Sequence, residues 1–162
     1  MGRARFAEIL RLLADSEVEF VVVGMTAGVL QGAPVTTLDL DVVHRRTPEN
    51  VARLLRVLSQ LDAVYRHDRR RLRPQESHLV GPGHQLLTTT HGDLDCLGEI
   101  GDGLGYDELL DRSVEMALSG GKTVRVLALP ALIEEKERAG RPKDLAVLPV
   151  LRAVLDEQTR RS

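Results

Sequence analysis

The sequence predicts an α/β protein: a small mixed sheet flanked by helices and closed by a short C-terminal helical pair. Three observations carry that prediction. Phe20 to Val23 is an unbroken apolar run ending at Gly24, as a buried strand ending at a turn would read. Leu38, Leu40 and Val42 alternate with Asp39 and Asp41, the two-residue period of a second strand. Around these strands, apolar residues recur every three to four positions in several segments, the spacing of helices that bury one stripe.

In chain order, Phe6, Ile9, Leu10 and Leu13 predict an amphipathic helix over residues 3–15. The strand over 20–23 follows, then Gly24, a short apolar segment and a turn at Gly32–Pro34. The Asp39/Asp41 strand should send Leu38, Leu40 and Val42 into the core. Thr47 then caps a helix opened by Pro48, with Val51, Leu54, Leu55, Leu58 and Leu61 as its buried stripe. Residues 66–84 collect Arg66, Arg69, Arg70, Arg71 and Arg73 with Pro74, Gly81, Pro82 and Gly83. They predict a solvated basic loop, with a short strand near Leu79, that could face an acidic partner or an RNA acceptor.

Gln85–Thr90 and Asp93–Leu97 read as strands broken or bulged at His91-Gly92. In the second, Asp93 and Asp95 alternate with Leu94 and Cys96. Gly98–Gly105 is a loop, Tyr106–Arg112 a short helix, and Val114–Leu118 with Thr123–Leu127 a hairpin about Gly120-Gly121. Pro130 opens a helix that ends at Gly140. Pro142 opens the last one, which should bury Leu145, Leu148, Leu151, Val154 and Leu155 before its final four residues fray. The whole is expected to be one domain over 1–162, with a core of about 18–128 and helices over about 130–157.

Composition narrows the function. A net charge of −2 gives no general pull toward nucleic acid or anionic membrane. One cysteine, Cys96, excludes an internal disulfide and a cysteine-based zinc cluster, and it reads as a buried small hydrophobe. Two Tyr, two Phe and no Trp leave no platform for stacking single-stranded bases. No apolar run suits a signal peptide or a membrane span, so no membrane partner and a cytoplasmic location are expected.

The acids point to chemistry. Asp39 and Asp41 stand on one face of an apolar, hence internal, strand, where unpaired carboxylates are costly. A second strand offers Asp95, with Asp93 close by. Three carboxylates from neighbouring strands can hold two hard cations such as Mg2+, the arrangement that clamps attacking and leaving oxygens in phosphoryl and nucleotidyl transfer. Gly24, after a strand and before a helix, would bring backbone N–H groups toward phosphates. His44 and His91 neighbour these acids without metal-ligand spacing.

The ordered set resembles the minimal nucleotidyltransferases of the polymerase-beta superfamily. It comprises Gly24 between strand and helix, Asp39-x-Asp41, and Gly92-Asp93-Leu94-Asp95-Cys96-Leu97-Gly98-Glu99. The tail Lys136-x-x-x-Gly140-Arg141-Pro142-Lys143-Asp144 is similar to the distal motif of the abortive-infection and toxin-type members. The likeness spans roughly residues 18–148. It implies a nucleotidyltransferase fold and Mg2+-dependent transfer of a nucleoside monophosphate from a nucleoside triphosphate (NTP) to an acceptor. Asp39, Asp41 and Asp95 would hold two metal ions, and Asp95 would serve as base. Gly24, Met25, Thr37, Lys136, Lys143 and Asp144 would form the NTP site, with Lys136 neutralising phosphate charge and Asp144 orienting Lys143, Lys136 or the acceptor. A tRNA acceptor and an antitoxin partner follow from the toxin-type likeness. Two positions depart from the pattern: Met25 stands where Ser or Gly is usual, and Val35 near where an Arg is common. A catalytically weakened binding protein and an antibiotic-modifying enzyme are the alternative readings.

Overall fold

The computed structural model describes residues 5–162. Positions 3 and 4 of the first predicted helix lie outside the described residues. Seven helices surround one seven-stranded mixed sheet among those residues. The strands are β1 (Phe20–Val23), β2 (Asp39–His44), β3 (Val64–Tyr65), β4 (His84–Thr89), β5 (Gly92–Leu97), β6 (Ser113–Ala117) and β7 (Thr123–Leu127), in the order β3-β4-β5-β2-β1-β7-β6. β1 lies between antiparallel β2 and parallel β7, so both of its edges are paired, and all four of its residues are buried, which means that both faces of the sheet are covered there. That central position explains why its sequence is a continuous apolar run and not an alternating one.

The helices are α1 (Phe6–Asp15), α2 (Gly24–Leu30), α3 (Pro48–Gln60), α4 (Glu76–Leu79), α5 (Tyr106–Leu110), α6 (Leu129–Ala139) and α7 (Pro142–Arg161). Thr47 accepts from the Asn50 amide and starts α3 as its sequence predicts. Asn50 itself is buried; its side chain accepts from the Glu19 amide and donates to the carbonyls of Glu19 and Arg45, fastening α3 to the start of β1 and the end of β2. α2, α6 and α7 meet at Gly28, where a Cβ would lie 3.0 Å from a Leu151 methyl and 3.4 Å from a Leu132 methyl. The C-terminal pair therefore packs directly on the helix that follows β1. Leu40, Val42, Leu94 and Cys96 are fully buried on the face of β2 and β5 turned away from the acids. Each such aliphatic side chain contributes about 1.5–3 kcal/mol by burial.

Four local expectations are corrected. Leu38 precedes β2 and is 78% exposed, because the strand begins only at Asp39. The segment around Leu79 is one helical turn, not a strand; Gln75 and His78 cap it reciprocally, and the fully buried Leu79 anchors it. Leu145 is exposed, since α7 turns Asp144, Leu148 and Leu151 inward and Leu145 is on the other side. The last helix persists to Arg161. The strands break at His91 as expected, but Gly92 already belongs to β5: Thr90 and His91 form the two-residue loop of a tight β4–β5 hairpin, where Thr89 pairs with Gly92. The predicted β6–β7 hairpin and the glycine-terminated α6 form as their sequences indicate, with Gly140 in the left-handed region.

Candidate active site

β2 and β5 run parallel in a register that sets Asp39 opposite Asp93 and Asp41 opposite Asp95. Residues two apart on a strand share a face, so the four carboxylates form one acidic patch across two adjacent strands. β1 delivers Gly24 to the same place, because Val23 pairs with Asp41. Gly24 adopts φ +64°, and a Cβ there would stand 2.4 Å from Asp41 Oδ2. Only glycine allows α2 to begin so close to that carboxylate. Gly24→Ala is expected to cost about 2 kcal/mol of stability from the left-handed backbone and the displaced carboxylate, read as a lower urea midpoint.

Asp41 Oδ1 is buried with no hydrogen-bond partner. Burial, then the charge of Asp95 and hydrogen bonding with it, then Asp39, push the Asp41 carboxyl up to about 7, with Lys136 opposing. Asp95 is 7% exposed; burial pushes its carboxyl up, while the Arg66 guanidinium pulls it down. Lys136, on α6, donates to Asp144 at 3.4 Å. Asp144 is 1% exposed and accepts from Arg141 Nε at 2.6 Å, from its terminal nitrogen at 3.1 Å and from its backbone N–H. Those Arg141 bonds, the largest cause, pull the Asp144 carboxyl down to about 2. Lys143 is exposed. Thr37 donates to the Asp39 carbonyl at 3.2 Å, and Thr26, which sequence reasoning passed over, does so at 2.8 Å from α2. The Met25 methyl points along α2 toward Gly28, 3.4 Å from where a Cβ would stand.

Arg66 is the main surprise. Expected in a solvated loop, it turns inward and donates to Asp95 Oδ1 at 2.9 Å and to the Leu87 carbonyl at 2.7 Å, with Asp93 Oδ2 at 3.7 Å. The reason is β3, a two-residue strand too short to be read from sequence, which ties residues 64–66 to β4. The neighbouring arginines stay in exposed bridges: Arg70 with Asp68, Arg71 and Arg73 with Asp62. The histidines take no part. His44 is buried and donates from Nε2 to the Leu79 carbonyl at 2.7 Å, burial pushing its imidazole below the ordinary value, and His91 pairs with Glu8 at 2.7 Å. Cys96 is fully buried, and burial pushes its thiol up.

In donor chemistry the patch fits a hard divalent cation: its ligands are carboxylate oxygens, and one of them is buried and unpartnered. As the side chains lie, no three His, Cys, Asp or Glu groups converge tightly enough to hold a metal among the described residues. Arg66 stands as cation at Asp95 instead. Two hollows, of about 370 Å³ between Arg46 and Asp107 and of about 640 Å³ between Gln31 and α7, are lined by none of these four acids.

No family model matches the chain, and no curated protein matches it. Solved structures do. The antibiotic-resistance factor ANT(2'')-Ia, in complex with adenylyl-2''-tobramycin, superposes with a TM-score of 0.60 at 16% identity, covering 95% of this chain and 89% of that one. TM1012, a candidate nucleotidyltransferase from Thermotoga maritima, gives 0.53 at 20% identity over 94% and 93%. The lincomycin-bound lincosamide antibiotic adenylyltransferase LnuA gives 0.58 at 15% identity over 92% and 95%. The chain therefore has the nucleotidyltransferase fold along almost its whole length.

Proposed function

We propose that this chain is a divalent-metal-dependent nucleotidyltransferase, transferring a nucleoside monophosphate from an NTP to an acceptor hydroxyl. The observation that carries it is the β2–β5 register, which places Asp41 beside Asp95 with Gly24 packed against Asp41. In this reading Asp39, Asp41 and Asp95 hold two Mg2+ ions. When bound, such ions polarise the α-phosphate and lower the pKa of the attacking hydroxyl. The rest is done by the chain. Gly24, at the start of α2, gives the triphosphate room to approach backbone N–H groups beside Met25. Thr37 and Thr26 fix the start of β2, and with it Asp39. Lys136, held by Asp144, offers its charge to the phosphates, and the exposed Lys143 would add to it. The acceptor oxygen bonds the α-phosphorus, the bond to the β-phosphate oxygen breaks, pyrophosphate leaves, and the acceptor proton passes to the Asp95 carboxylate.

The acceptor we assign is a tRNA hydroxyl, with the protein acting as the toxin of a pair neutralised by an antitoxin. The arginine loop 69–73, which leaves the acidic patch directly after Arg66, supports it as a phosphate-binding rim. A hydroxylated antibiotic is the second acceptor, supported by tobramycin and lincomycin in the similar structures. Incubation with each α-phosphate-labelled NTP, Mg2+ and either total tRNA or a panel of such antibiotics separates them. Label on tRNA supports the toxin reading, and label on an antibiotic replaces it. No release of pyrophosphate with any acceptor overturns the enzyme reading in favour of a binding protein that has kept the fold.

A further inference from the structure

We propose that Arg66 is the resident counter-cation of the acidic patch and that divalent metal must take Asp95 from it. The inference deepens the nucleotidyltransferase reading and rests on it. Arg66 is built into place: its backbone N–H donates to the Leu86 carbonyl at 2.9 Å, and its guanidinium is held by Leu87 O and Asp95 Oδ1, leaving its side chain 15% exposed. Among the arginines of the run, it alone bridges to the acids of β5.

Charge explains why it is there. Asp39, Asp41, Asp93 and Asp95 carry four formal negative charges, Lys136 is paired with Asp144, and Arg66 is the cation that bridges Asp93 and Asp95, so the patch keeps an excess of negative charge. Without Arg66, Asp95 would be a buried carboxylate beside Asp41 with no cation bonded to it, an arrangement that burial makes costly. With a metal ion at Asp95, a guanidinium 2.9 Å from the same oxygen would be a second cation in contact with the first. Like charges at that separation in a partly desolvated site repel strongly. One of the two must leave, and the arginine is the one on a long, flexible stem. Arg66 therefore keeps the patch folded when metal is absent and raises the metal concentration needed to fill it.

The test reads metal binding without turnover. Mn2+ is titrated into the nucleotide-free protein and followed by electron paramagnetic resonance, with circular dichroism as the check on folding. Arg66→Gln should bind Mn2+ at least about tenfold tighter than the wild type, about 1.4 kcal/mol. Arg66→Lys, which keeps the charge, should stay within about threefold of the wild type. A merely structural arginine would give the opposite sign, because a damaged site binds more weakly. Equal or weaker binding by folded Arg66→Gln overturns the inference and leaves the metal reading standing. No Mn2+ binding by either protein overturns both. Should the Gln variant not fold, the wild type carries the test: the Arg66 Nε–H nuclear magnetic resonance signal should move as Mg2+ saturates the site, and an unmoved signal overturns the proposal.

Discussion

Asp41→Asn is expected to lose nucleotidyl transfer by about a thousandfold or more, about 4 kcal/mol of barrier, while the metal-free protein becomes more stable at pH 8. The two effects share one cause. The Asp41 carboxyl is half-buried between Asp39 and Asp95, so its folded value rises from 3.8 to about 7, burial being the larger reason. A group raised in this way stabilises the fold fully below pH 3.8 and loses that contribution as pH climbs through about 7. Above pH 7 the wild type carries a carboxylate that its surroundings disfavour, and Asn, nearly the same shape, does not. The gain should be about 2 kcal/mol at pH 8, less than the full shift implies because the group keeps some solvent contact. It should shrink as pH falls below 7 and nearly vanish only at about pH 3.5, below the unfolded value of 3.8, where Asp41 is protonated in the unfolded chain as well as the folded one. Urea denaturation at both pH values reads it. The same sign makes metal binding tighter as pH rises through 7, with a proton released, since the ligand must be ionised.

Asp144→Ala is expected to cost about 3 kcal/mol of stability, a fall in Tm of about 6–12 °C for a chain of this size. Asp144 is the buried acceptor that both starts α7 and holds Lys136. Its removal leaves Lys136, whose side chain is 15% exposed, without its carboxylate and Arg141 without its capping partner. Here the sign runs the other way. A carboxyl pulled down to about 2 gives stability above pH 3.8 that is lost as pH falls through 2, so the variant and wild type should converge in strong acid. Thermal unfolding at pH 7 and pH 2 checks both statements.

The acid positions were legible because strand alternation is strict: once Asp39 and Asp41 lie on a strand, their shared face follows, and Asp93 and Asp95 repeat the pattern on β5. Gly24 was legible for a similar reason, since a glycine between a buried strand and a helix has few conformational alternatives. Arg66 was not. Its role depends on a two-residue strand and on its pairing with β4, and nothing local distinguishes it from the four exposed arginines that follow it. Leu38 and Leu145 misled because apolar spacing ignores where an element begins and how its stripe rotates. Asn50 and Thr26 carry no charge and no period, so their buried hydrogen bonds appear only once distant segments meet.

The most direct measurement of the central claim needs no acceptor. Isothermal titration of a nonhydrolysable NTP analogue into the wild-type protein should give heat only with Mg2+ present, and none with Asp41→Asn under the same conditions. Binding that is equal with and without Mg2+, or undiminished in Asp41→Asn, would contradict the claim that this acidic patch is a metal-dependent nucleotide site.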